Sequence, residues 1–258
     1  MGLKVWLNAS LLAADVAGLS PTDRGFTLGD GLFETLRAEA GQVLRLGAHL
    51  ARLTRGAEVL GFALPDFDLP AALEATLAAN GLSDGVMRLT VSRGAGARGV
   101  LPPQVPVPTV LITAAPLPAP APPARLTLAT RTRRNEFSPL SRIKSLNYLD
   151  NIIARMEAEE RGFNDALLLN TQGRIAESST ANVFIVRAGR LLTPPVEDGA
   201  LPGILRAELL ARGAEECPLQ PQDLRAAEEI FLTTSLGIRP VSAFEDHVLA
   251  SHAVANRL

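Results

Sequence analysis

Lys144 is the residue in this sequence whose type and position most directly suggest covalent chemistry. Of the 25 lysines and arginines, only Lys4 and Lys144 are lysines, so the other 23 are arginines. An arginine can replace a lysine in most ion pairs, but it does not lose its proton near neutral pH. A lysine kept in mid-sequence therefore suggests a nucleophilic amine, for instance one that forms a Schiff base with a carbonyl cofactor. An ordinary surface lysine is the alternative at this point.

A phosphorylated aldehyde cofactor would also need groups that bind its phosphate. N–H groups and the dipole at a helix start favour anions, and hydroxyls and a guanidinium add hydrogen bonds and charge. The candidates are a predicted helix start, three hydroxyls at a predicted strand end and one arginine: Gly203, Ile204 and Leu205, Thr233, Thr234 and Ser235, and Arg52. Each of these features is common in proteins, so none is decisive alone.

Two further requirements point to carboxylate and guanidinium groups. A cofactor ring that accepts electrons needs a carboxylate opposite its protonated nitrogen, and Glu177 precedes a small polar run and an apolar strand. An exposed glutamate on an edge strand is the alternative. An anionic substrate needs positive groups, and Arg93 and Arg98 flank a glycine loop that suits a carboxylate. Solvated surface arginines are the alternative for this pair.

Composition argues against several other classes of protein. The net charge is −2 and the arginines are spread along 258 residues, which does not indicate a nucleic-acid-binding surface. One cysteine, Cys217, leaves no internal disulfide, and three scattered histidines indicate no metal site. The sequence shows neither a signal peptide nor an apolar run of about 18 residues. We therefore expect a cytoplasmic protein that acts on a small anionic amino substrate, without nucleic acid, membrane or catalytic metal.

Hydrophobic periodicity defines the elements that must position these groups. In the first half it predicts a turn and connection over residues 8–20 and a glycine-rich loop that feeds a hairpin over 23–46. His49 and Arg52 are three residues apart, so they share a helical face and are predicted to point together towards a partner. The remaining predictions for this half are helices over 47–61 and 69–79 and strands over 3–7, 85–93 and 107–115.

A proline-rich segment, 116–124, contains five prolines in nine residues and is predicted to be a semi-rigid linker. It separates a smaller N-terminal α/β domain, 1–115, from a larger C-terminal cofactor-binding domain, 125–258. The predicted fold class is therefore two α/β (α+β) domains built on mixed or antiparallel sheets. The elements predicted for the second half are strands over 124–133, 165–170, 175–187 and 228–235, and helices over 147–161 and 202–216.

Taken in order, the motifs resemble the class IV pyridoxal-phosphate enzymes, which include branched-chain and D-amino-acid aminotransferases and 4-amino-4-deoxychorismate lyase. The resemblance covers most of the chain and rests on six segments: DRGFTLGDGLFETLR, HLAR, IKSLNYLDN, GFNDALLLNTQGRIAESSTANVFIV, PGILR and TTSLGIRPV. It implies a two-domain fold type IV enzyme with pyridoxal 5′-phosphate at the domain interface. It also implies a homodimer whose active sites are completed across the subunits.

The resemblance assigns roles to individual residues. Lys144 would bond the cofactor and move protons, and Glu177 would pair with its ring nitrogen. Arg52 would bind the phosphate, assisted by Thr234 and by the main chain of the 203–205 helix start. Tyr148 would lie near the 3′ oxygen of the cofactor.

The sequence favours the lyase within this family. The loop SRGAGARG resembles the arginine loop of the lyase, and Leu205 and Phe33 stand where the transaminases usually carry threonine and tyrosine. The loop after Arg98 lacks the histidine that D-amino-acid enzymes use, although IKSLN resembles those enzymes. The lyase reaction eliminates pyruvate to give 4-aminobenzoate in folate biosynthesis, with Lys144 as the base and Thr35 or Lys144 as the acid. A branched-chain or D-amino-acid aminotransferase and a non-catalytic phosphate-ligand binding protein remain alternatives.

Overall fold

A computed structural model of the chain describes residues 2–258; Met1, which the predicted N-terminal domain includes, lies outside the described residues. The chain divides into two compact units. The first comprises the chain up to Ala119 together with Ile143–Asn147, and the second comprises Pro120–Arg142 and Tyr148–Leu258. The division falls inside the proline-rich segment. The pentapeptide that carries Lys144 belongs to the first unit, whereas the sequence prediction had assigned it to the C-terminal domain.

The first unit is built on an antiparallel sheet of six described strands in the order β2-β1-β6-β5-β3-β4. Helices α2 and α3 cover one face of this sheet, and their apolar residues form a single core with it. The elements of this unit are β1 (Lys4–Leu7), β2 (Ser10–Ala13), α1 (Arg24–Leu28), β3 (Gly31–Glu39), β4 (Gln42–Val43), α2 (Leu46–Leu60), α3 (Leu69–Ala79), β5 (Gly85–Ser92) and β6 (Thr109–Ala115).

Strand β3 organises this unit. Its even positions face the helices, because side chains alternate across a strand, and Leu32, Leu36 and Ala38 are all at most 1% exposed. Its odd positions, including Phe33 and Thr35, project to the opposite face. One edge of β3 pairs with β5 from Gly31 to Ala38.

The second unit contains a mixed sheet of nine described strands. Their order is β12-β11-β10-β13-β14-β7-β8-β9, with β15 paired to β14, and three of the pairings are parallel. The elements are β7 (Ala124–Leu128), α4 (Leu149–Glu160), β8 (Asp165–Leu169), β9 (Ile175–Ser178), β10 (Asn182–Arg187), β11 (Arg190–Thr193), α5 (Ile204–Ala211), β12 (Glu215–Glu216), α6 (Pro221–Arg225), β13 (Glu229–Thr234), β14 (Gly237–Phe244) and β15 (His247–Val248), with short 3₁₀ turns at Pro139–Arg142 and Val196–Asp198.

The predicted fold class, mixed α/β with antiparallel pairing, is confirmed by these sheets. Helices predicted over 47–61 and 69–79 are found at Leu46–Leu60 and Leu69–Ala79. Four local predictions were wrong: 8–20 contains strand β2, the strand predicted over 124–133 ends at Leu128, 175–187 is two strands, and the helix predicted over 202–216 ends at Ala211. No helix among residues 2–258 has the length and apolar character needed to cross a bilayer.

The errors have physical causes. Strand β2 is specified by its pairing with β1 rather than by its own short pattern. The polar run between β9 and β10 ends one set of pairings, so that β9 pairs with β8 and β10 with β13. Helix α5 stops where Gly213, at φ 101°, adopts a conformation that glycine tolerates best.

Candidate active site

Lys144 is held in the first unit by main-chain hydrogen bonds to β3. The N–H of Phe33 donates to the carbonyl of Lys144 at 2.9 Å, and the N–H of Leu146 donates to the carbonyl of Gly31 at 2.9 Å. Leu32 and Ser145 form the corresponding β-bridge. The segment thus continues the sheet beyond β3 for a few residues, which fixes the main chain beneath the lysine.

Gly31 makes this close packing possible. A Cβ on Gly31 would lie 2.6 Å from the carbonyl oxygen of Val91 and 2.9 Å from Cδ1 of Leu146. Both distances are shorter than contacts that real Cβ atoms make. Gly31, the second glycine of the motif GDGLF, is therefore required because a side chain would not fit between β5 and residues 143–147, which carry Lys144.

The amine of Lys144 lies against an aromatic ring. Its Nζ is 4.5 Å from the ring centroid of Phe33, a distance typical of cation–π contacts. The guanidinium carbon of Arg88 lies 3.8 Å from the same centroid. Arg88 faces Thr35 across the β3–β5 pair, so Phe33, Thr35 and two cations share one region of the first unit. The sequence did not single out Arg88.

Arg52 lies on α2 and is buried, with 6% of its surface exposed. Its Nε donates to Oε1 of Glu34 at 2.8 Å, and its Nη2 donates to Oε2 at 2.5 Å. Nδ1 of His49 lies 2.7 Å from the same Oε2. His49 and Arg52 therefore do point together towards a partner, as their spacing predicted, and that partner is Glu34 from β3.

Glu34 is ionised in this setting. Burial by itself would raise the pKa of its carboxyl, but hydrogen bonds and charge from Arg52 and His49 outweigh burial and lower the pKa below the ordinary value. Glu34 was not among the site residues predicted from the sequence, but one pattern could have indicated it: it is the charged residue on the face of the run GLFETL that otherwise carries apolar residues.

Arg93 is not positioned as an open carboxylate fork. It is 5% exposed, its Nε donates to Oδ2 of Asp30 at 2.8 Å, and its Nη2 donates to the carbonyl of Leu60 at 2.6 Å. Its guanidinium also lies 5.0 Å from the ring centroid of Phe62. These contacts join Asp30 to the end of α2 within the first unit. The sequence had predicted that Arg93 binds a substrate carboxylate, and its guanidinium is instead bound to these protein groups.

Arg98 is exposed on the glycine-rich loop, and Arg24 donates hydrogen bonds to main-chain carbonyls of that loop. Nη2 of Arg24 donates to the carbonyl of Val100 at 2.8 Å, and Nη1 donates to the carbonyl of Gly99 at 3.1 Å. Nε of Arg24 donates to Oδ2 of Asp30, the oxygen that Arg93 also binds. Burial would raise the pKa of Asp30, yet the two arginines lower it. This arginine–aspartate–arginine group sets the position of the loop that carries Arg98.

The second unit carries Glu177 at a buried position of β9, with 6% of its surface exposed. Oε1 is 3.0 Å from Nη2 of Arg134, and Oε2 accepts a hydrogen bond from the N–H of Leu201 at 2.9 Å. Arg134 also donates to the carbonyls of Gly199 and Ser141. An exposed edge-strand glutamate is therefore excluded, and the cation that its burial required is Arg134.

The predicted helix start is present at α5. Gly203 precedes the first helical residue, Ile204, and Leu205 is half-buried in the first turn. Gly203 has φ −69°, so a side chain is excluded by space and not by backbone conformation: a Cβ would lie 2.0 Å from Oδ1 of Asn182. Asn182 is fixed in turn by donating to the carbonyl of Leu201 at 2.8 Å.

Thr233 lies directly opposite Asn182 in the β10–β13 pair, so the two side chains are neighbours on one face. The Thr233 hydroxyl is buried and makes no hydrogen bond with the described residues. Buried polar groups are normally paired. Thr234 projects to the other face, and its hydroxyl accepts a hydrogen bond from the N–H of Leu236.

The donors in the second unit fit a phosphorylated group. An unpaired hydroxyl beside a helix start whose first N–H groups have no partner within the helix is a feature of an anion cradle. Tyr148 caps the start of α4 through its main chain and is half-buried. No sequence pattern pointed to Arg134 or Asn182 as site residues, because their contacts with Glu177 and Leu201 are made with residues distant along the chain.

Comparisons with known proteins identify the family. Residues 31–244 match the model described as amino-transferase class IV. A protein of Methanocaldococcus jannaschii, provisionally named a branched-chain-amino-acid aminotransferase, is 34% identical over 264 residues, which cover 98% of this chain and 91% of that protein.

Two solved structures are similar over nearly the full length. The 4-amino-4-deoxychorismate lyase from Pseudomonas aeruginosa has a TM-score of 0.84 and 35% identity, covering 98% of this chain and 96% of that one. The branched-chain aminotransferase from Thermoproteus uzoniensis, solved with norvaline, has a TM-score of 0.92 and 29% identity, covering 100% and 92%. Other similar aminotransferase structures contain pyridoxamine 5′-phosphate or a phosphopyridoxyl-glutamate, so the cofactor is pyridoxal 5′-phosphate. The motifs, the two sheets and these matches agree, and the chain belongs to the class IV aminotransferase family.

Proposed function

We propose that this chain is a 4-amino-4-deoxychorismate lyase that uses pyridoxal 5′-phosphate to release pyruvate and 4-aminobenzoate. The observation that carries the proposal is the contact between Phe33 and the amine of Lys144, 4.5 Å from centroid to Nζ. A phenyl ring beside the reacting amine offers a flat apolar surface and no hydroxyl. Such a surface suits a substrate that is itself a six-membered ring and becomes aromatic.

Three further observations support this choice. The guanidinium carbon of Arg88 lies 3.8 Å from the centroid of the Phe33 ring, so two positively charged groups lie against one ring, where the carboxylates of the substrate would be attracted. Leu205 leaves the first turn of α5 without a side-chain hydroxyl. The lyase from Pseudomonas aeruginosa is also 35% identical to this chain.

The cofactor supplies the electron sink for the charge that develops on the substrate carbon. Lys144 would take the proton from the carbon that bears the nitrogen, and Glu177, held by Arg134, would accept a hydrogen bond from the ring nitrogen. The carbon–oxygen bond to the three-carbon side chain would then break with its electron pair on oxygen, and the resulting enolate would gain one proton on carbon to become pyruvate. Lys144 returns that proton, with Thr35 as the alternative donor.

Arg52, the α5 start and Thr234 bind the phosphate in this proposal, and Thr233 adds the buried hydroxyl described above. Tyr148 would lie near the 3′ oxygen of the cofactor, and Arg98 would bind a substrate carboxylate. The homodimer and the cytoplasmic location predicted from the sequence remain predictions.

A class IV aminotransferase acting on branched-chain or D-amino acids is the second candidate. It is favoured by the 34% identity to the Methanocaldococcus jannaschii protein. It would use the same lysine to return the proton to the cofactor instead of the departing enol.

One assay separates the two reactions. Purified protein with pyridoxal 5′-phosphate is incubated with 4-amino-4-deoxychorismate, and pyruvate and 4-aminobenzoate are measured. Equal amounts of both products, lost in Lys144→Ala, support the lyase. Amino-group transfer to 2-oxoglutarate without 4-aminobenzoate would refute it.

A further inference from the structure

Glu34 is the charged residue on the face of β3 that packs against α2. It lies between Leu32 and Leu36 on that face, and all three residues are at most 1% exposed. A carboxylate in an apolar setting is costly unless its oxygens are paired. Its presence at this position therefore indicates a specific requirement that an apolar residue would not meet.

Helix α2 supplies the partners of Glu34 from two residues one turn apart. Arg52 donates to both carboxylate oxygens, at 2.8 and 2.5 Å, and Nδ1 of His49 lies 2.7 Å from Oε2. His49 is 1% exposed and Arg52 is 6% exposed. The three side chains form a buried charged group inside the first unit.

This pairing fixes the guanidinium of Arg52. A bidentate contact sets both its position and its plane, whereas an unpaired arginine side chain samples many rotamers. His49 contacts the carboxylate independently of Arg52, so Glu34 remains anchored when the guanidinium binds a second anion.

The neighbouring residue on β3 holds the reactive lysine. Phe33 binds the main chain of Lys144 through its N–H and contacts the amine through its ring. Two consecutive residues of one strand thus anchor Lys144 and Arg52. Any displacement of this part of β3 would move both residues together.

We propose that Glu34, anchored by His49, is a positioning residue that sets Arg52 to receive the phosphate of the cofactor at a fixed place relative to Lys144. The inference rests on the proposed phosphate role of Arg52. It does not depend on whether the enzyme is a lyase or an aminotransferase.

The test compares two ligands that differ by the phosphate. Pyridoxal 5′-phosphate and pyridoxal are titrated into apoenzyme, and the visible absorbance of the lysine-bound cofactor gives a dissociation constant for each. Glu34→Gln keeps the shape of the side chain and removes its charge. We expect it to weaken pyridoxal 5′-phosphate about tenfold and pyridoxal less than about twofold, because only the former uses the charged hydrogen bonds of Arg52.

Two further variants define the origin of the effect. Arg52→Ala should show the same selective loss, and combining it with Glu34→Gln should add little, because coupled residues are not additive. His49→Ala, which leaves the charge pair intact, should give a smaller loss of the same selectivity. It keeps the test valid if Glu34→Gln does not fold.

Glu39→Gln is the matched control. It makes the same chemical change at the other end of β3, where Glu39 is half-exposed and pairs with Arg37. We expect both dissociation constants to stay at their wild-type values.

Several outcomes would overturn the inference. Equal weakening of both ligands by Glu34→Gln would show a general structural role, and unchanged binding of both would show no role. If Arg52→Ala leaves the ratio of the two dissociation constants unchanged, Arg52 does not contact the phosphate and the inference loses its basis. A negative lyase assay combined with the expected ratios would refute the proposed reaction and leave the positioning role standing.

Discussion

Gly203→Ala is a small change for which the structure predicts a large effect. The glycine precedes α5 with φ −69° and ψ 147°, a conformation that alanine adopts without strain. The effect must therefore come from space. The added Cβ would lie 2.0 Å from Oδ1 of Asn182, and real Cβ contacts are not closer than 3.0 Å, so the atoms must separate by at least 3.0 − 2.0 = 1.0 Å.

Either side of the contact can move, and both movements are costly. Rotation of Asn182 breaks its hydrogen bond to the carbonyl of Leu201, which costs about 1 kcal/mol. Movement of the helix start displaces the N–H groups proposed to bind phosphate, and hydrogen bonds to a charged group contribute about 1.5–3 kcal/mol. Since 1.4 kcal/mol corresponds to about tenfold in a dissociation constant, we expect binding of pyridoxal 5′-phosphate to weaken by about 10- to 100-fold.

The assay is the absorbance titration of apoenzyme with pyridoxal 5′-phosphate, with unfolding by urea measured in parallel. Gly47→Ala is the control, because Gly47 also lies in the first turn of a helix but a Cβ there meets nothing within 4 Å. We expect that control to retain its affinity. Replacing Asn182 by alanine in the Gly203→Ala background removes the clashing oxygen and should recover part of the affinity.

Wild-type affinity in Gly203→Ala would refute the reasoning, because it would mean that the helix start and Asn182 separate without disturbing the bound phosphate. Equal losses in the single and double variants would also contradict it, since the steric contact would then not be the cause.

Three other changes test separate parts of the structure. The pKa of Glu34 is lowered in the folded chain. Its ionised form therefore stabilises the protein above the ordinary glutamate pKa of about 4.3, and this contribution is lost as the pH falls through the lowered pKa. The difference in unfolding free energy between wild type and Glu34→Gln should shrink from pH 7 to about pH 3.5, and a constant difference would contradict this. Arg134→Gln removes the guanidinium that pairs with the buried carboxylate of Glu177, and we expect urea unfolding to show a loss of about 3 kcal/mol. An unchanged midpoint would show that the pair contributes nothing. Arg88→Ala should raise the KM for 4-amino-4-deoxychorismate about tenfold with little change in kcat, as for loss of a contact made equally in ground and transition states; a fall in kcat alone would place Arg88 in the chemical step.

The sequence could predict features that depend on residues close together along the chain. The period of about 3.6 residues defined α2 and α3 to within one residue, because an amphipathic helix is determined by neighbours three and four positions apart. The same spacing predicted that His49 and Arg52 point together. The scarcity of lysine and the ordered motifs identified Lys144 and the family, because both are properties of residue type.

Only the tertiary structure decided what these residues contact. Glu34, the partner of Arg52, lies 18 residues away, and Arg134, the partner of Glu177, lies 43 positions away, so no local pattern joins either pair. Arg93 looked available beside its glycine loop, yet folding brings Asp30 and the end of α2 to it and buries it.

The placement of Lys144 shows the same distinction. Its residue type was evident from the sequence, but its pentapeptide joins the first unit through hydrogen bonds to β3, more than 100 residues earlier in the chain. Strand pairing is formed between main-chain groups, which are the same for nearly every residue type. The sequence by itself therefore determined which groups the protein carries, and the long-range pairing of strands decided where each of them is held.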